Sequence, residues 1–411
     1  MNNLDWVTAE KYTLYEKIIL NIVREQGIVS RTTINKMTGI RFSTITGITK
    51  GLLAKGIICE ANDINSVSDS HVSKKALVLN KNYCCVAGID IQVSQVTAIL
   101  TDFCGNILTD IVIPISEKAS QDEIQHAFLR AADRVLESAG GRKVLGIGIS
   151  SIGLLNRKTK AIVLVFDNPN WTGLNFIKLL EERYPQYRIF TEDQAVCKLC
   201  AEKWFSNQPF YSNAVYVDIG NVFGASMLFN GTPMRNKIGT LGEIGHFPVS
   251  SGNELCTCGN QGCLSTVASS SVIVRQVRQA LEQGTISVLN TMTGGDLSKL
   301  TIQMILEAAE QEDRLASRFL SGAAHYIGKA ISFIVNLMGT EEVILGGTMI
   351  TDSNFFTNAI IAEAKYYSLY LLAQNLHFRK AVVRPFGGAL GAVCIVLDDF
   401  YANNTAPGEP E

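Results

Sequence analysis

The chain has 411 residues, 47% of them hydrophobic and 18% charged, which suits two or three domains with sizeable cores. A net charge of −2 excludes a polycation that coats nucleic acid along its whole length, so any DNA contact is local. Ten cysteines without a framework pattern suit a reducing cytosol, and MNNLDWVTAE lacks the basic and apolar parts of a signal peptide. The longest apolar run, residues 386–397, falls short of the ~18 residues that cross a bilayer. The expectation is a cytoplasmic protein with no membrane insertion.

Leu14, Ile18, Ile19, Ile22 and Val23 recur at helical spacing, which predicts a helix over residues 12–26 ended by Gly27. Ser30 reads as the N-cap of a short second helix stopped by Gly39. Ser43 reads as the N-cap of a third helix with Ile45, Ile48, Leu52 and Leu53 on one face. A strand starts at Ile57 and a second covers 75–79, with polar residues 62–73 as a tip between them. Three helices and a two-stranded wing make a winged helix-turn-helix over residues 1–82, and its third helix reads the DNA groove. Ser43, Thr44, Thr46, Thr49 and Lys50 are the groove-facing candidates on that helix. Arg31, Arg41, Lys50, Lys74 and Lys75 suit phosphates or the minor groove. Lys and Arg outnumber Asp and Glu over residues 1–82, although the whole chain is slightly acidic. A small helical oligomerisation domain fits the same pattern.

From residue 83 the character changes. Three β-rich segments with reversals near 92–94 and 104–106 are followed by a helix over 121–139 and a buried strand over 144–149. That order is ribonuclease-H-like, as in the lobes of actin and sugar kinases, and it assigns residues 83–195 to a first lobe. A second strand-turn-strand opening begins at Asn213, again with an Asp near the end of its first strand, so residues 196–387 form a related second lobe across a cleft. In that lobe a strand over 342–345 ends at Gly346 and Gly347, and residues 381–383 read as a last short strand. A helix over 388–401 returns to the first lobe, and 402–411 read as a disordered tail. The fold class is α/β: a winged helix-turn-helix followed by two ribonuclease-H-like lobes.

Residues 242–266 read GEIGHFPVSSGNELCTCGNQGCLST. One His and three Cys in this window, His246, Cys256, Cys258 and Cys263, form a ligand set that a structural zinc takes in a closed tetrahedron. Gly252, Gly259 and Gly262 let ligands so close in sequence converge. A metal on one imidazole nitrogen of His246 aims the other, which together with Glu243 can face a polyol.

GEIGH followed by C-x-C-G-x-x-G-C-L resembles the signature of the ROK family of repressors, open reading frames and sugar kinases. The likeness runs from about residue 12 to 400. It implies one structural zinc per chain on His246, Cys256, Cys258 and Cys263, with Glu243 and His246 also touching a sugar. Repressors of the family carry a winged helix-turn-helix at this place, and its kinases generally lack one. Where the repressors often have Gly-Arg-Arg-Pro, this chain has Ser73-Lys74-Lys75-Ala76, which keeps charge without the proline turn.

Departures from the family's kinases are concentrated on phosphoryl transfer. The Asp-x-Gly-Gly-Thr phosphate segment is replaced by Asp90-Ile91-Gln92-Val93-Ser94, whose side chains block approach of a phosphate to backbone N–H groups. The catalytic Asp of Glu-Asn-Asp-Ala-Asn falls on Gln194 when Glu192-Asp193-Gln194-Ala195-Val196 is laid on it without gaps; a one-residue shift restores Asp193. Gly-Cys-Leu-Glu becomes Gly262-Cys263-Leu264-Ser265. Asn170 matches a family residue near the sugar and equally suits a plain turn. The effector candidates are therefore Asn170, Asp193, Gln194, Glu243, His246 and Ser265, with no catalytic residue. The expected function is a DNA-binding regulator, a repressor of sugar uptake or catabolism, whose degenerate kinase-like body senses a sugar, a phosphosugar or a partner protein. The resemblance admits a phosphotransferase-system protein as that partner. A homodimer or tetramer on a double-stranded operator follows from the short reach of one recognition helix. The alternative is a sugar kinase with an appended helix-turn-helix.

Overall fold

Helix α1, Leu14–Gln26, buries Ile19, Leu20, Ile22 and Val23 on one stripe, as the helical spacing dictates. These residues open a computed structural model that describes 14–61 and 75–402, apart from 117, 157, 166–167, 237–240, 351–353 and 384. The expected tip at 62–73, Lys74 and residues 403–411 of the expected tail lie outside the described residues.

Helix α2, Arg31–Thr38, starts where Ser30 accepts a hydrogen bond from the Thr33 N–H and ends at Gly39, which adopts φ 69°. Helix α3, Phe42–Ala54, starts before the expected cap. The Arg41 carbonyl already accepts the Ile45 N–H at 3.1 Å, so the helical ladder begins at Arg41 and Ser43 lies exposed inside the first turn. Strand β1, Ile58–Glu60, pairs antiparallel with strand β2, Leu77–Leu79, and Val29 extends that pairing through a bridge to Leu77.

The chain divides into two compact units: residues 1–151, 174–192 and 388–411, and residues 152–173 and 193–387. The sheet of the first unit runs in the order 107–114, 95–102, 85–91, 144–151, 189–193. Its first three strands are antiparallel and 85–91 pairs parallel with 144–151. The last helix, Gly387–Tyr401, lies directly on this sheet. A Cβ on Gly88 would sit 2.1 Å from the Ala389 carbonyl oxygen, and one on Gly148 would sit 1.9 Å from that of Ala392. The far end of this helix meets α1. Lys17 donates to the Ala402 carbonyl, Asn21 donates to the Tyr401 carbonyl at 3.2 Å, and the Arg24 guanidinium lies 5.5 Å from the centre of the Tyr401 ring. Tyr401 also stacks on Phe103 with centroids 5.8 Å apart.

The second unit repeats the sheet plan. Its strands run 232–233, 223–229, 214–219, 342–346, 377–380, the first three antiparallel and the last three parallel to one another. Helix Arg314–Met338, ended by left-handed Gly339, supplies much of its core through Leu320, Ile327, Ile331 and Val335. The final strand is His377–Lys380, not the expected 381–383. A buried carboxylate stops the ladder: Glu202 accepts the N–H groups of Val382 at 2.8 Å and Val383 at 2.7 Å, so neither is available to a strand. Glu202 is also held by Arg379, whose Nε contacts Glu342 at 3.0 Å. Glu202→Ala leaves Arg379 and two amides without this acceptor. It is expected to cost about 3–5 kcal/mol, read as a lower thermal midpoint; a midpoint equal to that of the unaltered chain would count against the buried carboxylate as an organising group.

Candidate functional site

Strand Phe223–Phe229 fixes the approach to the cysteine-rich loop, because the Ala225 N–H donates to the Gly242 carbonyl at 2.8 Å. The next residues tighten into a 3-10 turn, Ile244–His246, with Glu243 at its start and Ile244 fully buried. Pro248 bridges to Cys263 and Leu255 to Gln261, which folds the loop back on itself. At Gly262, φ is 69° and a Cβ would lie 2.0 Å from the Ser250 carbonyl oxygen, so only glycine fits the fold-back. The Lys329 ammonium ties the loop to helix Arg314–Met338 through the Val249 carbonyl at 3.0 Å.

This frame brings His246, Cys256, Cys258 and Cys263 together with all ligand atoms within 4.8 Å of one another. His246 Nδ1 lies 3.5 Å from Cys256 Sγ, and Cys258 Sγ lies 3.7 Å from Cys263 Sγ. A tetrahedral ion with metal–sulfur bonds of about 2.3 Å and metal–nitrogen bonds of about 2.0 Å has edges of about 3.7 Å between sulfurs and about 3.5 Å between sulfur and nitrogen. The residues therefore fit a metal ion held by nitrogen and sulfur. Burial lowers the His246 imidazole below its usual range, which favours the neutral ring that ligates.

Beside the metal-ligand cluster stands a polar one. Glu243 is half-buried, and burial, with the Asp193 carboxylate adding to it, pushes its acid up to about 7. Asp193 is the N-cap of helix Gln194–Phe205, accepting the Ala195 N–H at 2.8 Å and the Val196 N–H at 3.4 Å. Ser265 Oγ lies against Gly245, where a Cβ would meet it at 2.6 Å. Glu243, Ser265 and His246 thus gather around one turn, and the Asp193 carboxylate is near enough to act on Glu243. Gln194 stands at the start of the same helix and accepts from Lys198 at 3.4 Å, and Lys198 is ion-paired with Asp218 at the end of strand Ala214–Ile219. Asn170 is exposed on the separate 3-10 turn Pro169–Trp171. Lys198 went unnoticed in the sequence; its only signal was the helical i, i+4 spacing from Gln194.

In the first unit, Asp90 is buried and accepts Gln92 Nε2 at 2.7 Å and Ser150 Oγ at 2.6 Å. The side chain at 92 thus occupies space that the glycine of a phosphate segment would leave open.

Arg41, Ser43, Thr46, Lys50 and Lys75 are exposed and Thr44 is half-buried. Thr49 is not on the open face of α3. It is fully buried, because its position on the helix turns it towards α2, where its hydroxyl accepts Arg31 Nε at 2.9 Å. Arg31 is likewise committed within the module: it also donates to the Lys75 carbonyl at 3.3 Å and lies 3.6 Å from the Glu60 carboxylate.

A family model described as the ROK family matches residues 86–399. A putative xylose repressor of Caldicellulosiruptor sp. is 25% identical over 394 residues, covering 94% of this chain and 96% of that one. The DNA-binding transcriptional dual regulator NagC of Escherichia coli is 25% identical over 382 residues, covering 92% and 91%. Among solved structures, a ROK family transcriptional regulator described as a homologue of the E. coli MLC protein has a TM-score of 0.77 at 22% identity and covers 95% of this chain and 97% of its own. A ROK family glucokinase from Streptomyces griseus has a TM-score of 0.67 at 21% identity and covers 76% of this chain and 98% of its own. No helix among the described residues is long and apolar enough to cross a membrane.

Asp193 both caps a helix and faces Glu243, and two substitutions separate these roles. Asp193→Ala is expected to lower stability by about 1 kcal/mol, whereas Asp193→Asn keeps the cap at little cost. Denaturant midpoints check this; equal losses in both variants would make the charge, not the cap, the stabilising element.

Proposed function

The chain belongs to the ROK family, and on that premise we propose that it is a DNA-binding transcriptional repressor of genes for sugar uptake or catabolism. The observation that carries this reading is coverage. A match to a named sugar repressor over 94% of the chain necessarily takes in most of residues 1–82, whereas a fold match at 76%, such as that of the glucokinase, leaves about a quarter of the chain unmatched.

Residues 1–82 are the DNA-binding domain in this reading, a winged helix-turn-helix with α3 as recognition helix. Three helices ending in an antiparallel two-stranded sheet support it. Ser43, Thr46 and Lys50 are the exposed groups on α3 that meet DNA, with Arg41 and Lys75 at the phosphates and Thr44 beside them. Arg31 and Thr49 serve instead as the internal brace of the module, and Lys74 joins the basic set by sequence alone. One recognition helix reads few base pairs, so the working form is a homodimer on a pseudo-palindromic double-stranded operator.

The effector site is built on Glu243, His246, Asp193 and Ser265, with Gln194 and Asn170 as further contacts, and its ligand is a sugar or phosphosugar. Clustered carboxylate, imidazole and hydroxyl groups around one turn suit several adjacent hydroxyls. A docking partner of the phosphotransferase-system type remains the second occupant of the body. Catalysis is absent in this reading: Gln92 fills the first phosphate segment, Gln194 cannot take a proton near neutral pH, and Lys198 is paired with Asp218. The metal is zinc, one per chain, held by His246, Cys256, Cys258 and Cys263 in a structural role. When bound it supplies a closed tetrahedral crosslink and no open position for chemistry. The protein works in the cytoplasm.

Three measurements test these points. Elemental analysis of chelator-free protein is expected to find about one zinc per chain, and Cys258→Ser to lose most of it; protein without zinc contradicts the assignment. Selection of genomic fragments by the purified protein is expected to return pseudo-palindromes, with Lys50→Ala weakening binding on all of them and reducing the salt slope by about one. Recovery of no preferred sequence rejects the DNA reading. Glu243→Gln is expected to keep operator affinity while requiring roughly tenfold more inducing sugar, a loss of about 1.4 kcal/mol. Release at the same sugar concentration as the unaltered chain would move sensing to a partner protein.

A further inference from the structure

Phe42 is the first residue of α3 and is 51% exposed, while Ile45 and Leu52 of the same helix turn into the core. One turn on, exposed Thr46 donates its hydroxyl to the Phe42 carbonyl at 2.8 Å. The hydroxyl proton is thereby spent inside the helix, and the methyl group is the part left to meet a ligand. Gly47 beside it is also exposed, and a Cβ there would have nothing within 4 Å. Glycine is among the poorest helix formers, and no described neighbour accounts for one in mid-helix. A missing side chain at an open position suits close approach by something outside the chain. Phe42, Ser43, Thr46, Gly47 and Lys50 recur at helical spacing and form one exposed stripe.

We propose that the Phe42 ring and the Thr46 methyl group read the C5-methyl group of a thymine in the major groove of each operator half-site, and that Gly47 is where the helix backbone comes closest to the base edges. The N-terminal residues of a recognition helix are the ones that reach base edges. In the major groove thymine alone offers a methyl group, and phenyl rings and threonine methyls are its apolar partners. A phenyl ring makes no hydrogen bond, so against the donor and acceptor edges of the other bases it removes water without replacing it. The ends of the stripe select nucleic acid as the occupant. Arg41 at one end and Lys50 at the other are both exposed and suit the phosphates on either side of a groove. Ser43, between Phe42 and Gly47 on the stripe, keeps a hydroxyl for an adjoining base edge.

This inference rests on the DNA-binding reading above and names a base that reading leaves open. Operator fragments recovered by selection are the probe, and fluorescence anisotropy reads the affinity. Each thymine is replaced in turn by deoxyuridine, which removes the methyl group and keeps base pairing. The unaltered chain is expected to lose about fourfold in affinity at one thymine of a half-site, the factor for one buried methyl group. Phe42→Ala is expected to bind more weakly and to hold the thymine and deoxyuridine forms of that position equally. Phe42→Ser, a residue favoured at helix starts, is the reserve should Phe42→Ala lose its circular dichroism spectrum. Gly47→Ala is expected to raise the thermal midpoint and yet weaken operator binding roughly tenfold, opposite signs that a glycine needed only for folding does not give. A scan of the unaltered chain with no methyl-dependent position overturns the inference and leaves the DNA reading standing. The same methyl dependence in folded Phe42→Ala does so too. A chain that selects no DNA sequence overturns both.

Discussion

No side chain can exist at Gly88 or Gly148, because the backbone of the last helix occupies the space. Two missing Cβ atoms on neighbouring parallel strands let the carbonyls of Ala389 and Ala392 rest on the sheet itself. Close seating fixes the helix along its axis, since a shift by one residue brings a different profile over the glycines. That seat also places the helix end, which carries Tyr401 onto Phe103 and presents its last carbonyls to Lys17 and Asn21 of α1. The orientation of α1 against the first-unit sheet thus depends on a contact made far along the sequence.

The second unit solves a different problem. Its turn at 243–246 holds a half-buried carboxylate and a candidate metal-ligating imidazole three residues apart, with Ile244, Val249 and Leu264 in the core beside them. A crosslink by four side chains is suited to such a loop, because a structural zinc in small domains contributes on the order of 10–16 kcal/mol of apparent binding free energy. With the turn held, the desolvation of Glu243 and the proximity of Asp193 can persist, although each opposes ionisation.

Much of the plan was legible in the sequence. β-rich segments with reversals near 92–94 and 104–106 placed three antiparallel strands between residues 85 and 114, and Ser30 and Gly39 marked the ends of α2 through the local chemistry of caps. The ligand set of the metal cluster could be read because all four residues fall within eighteen positions. The failures have identifiable partners. Ser43 is a good cap by type, but the Arg41 carbonyl enters the ladder first. Thr49 looked groove-facing until Arg31, from another helix, proved to be its partner. Residues 381–383 have the apolar character of a strand, yet Glu202, about 180 positions earlier, takes the amides of Val382 and Val383. Residue type reports local preference; at Ser43 a backbone carbonyl two residues earlier decided the outcome, and at Thr49 and 382–383 a group from another element did.

The contact between α1 and the last helix also sets an order of events during synthesis. Residues 193–387 of the second unit form nearly the whole of that unit as one continuous stretch. The first unit is assembled from three separated pieces, and its sheet lacks the covering helix until residues 388–401 have emerged from the ribosome. The module at residues 14–61 is thus translated early but receives the carbonyl partners of Lys17 and Asn21 last. Domains ordinarily fold from the N-terminal end as they emerge. Here the part made first is completed last, and the long loop closure that joins its pieces makes that final docking slow relative to helix formation.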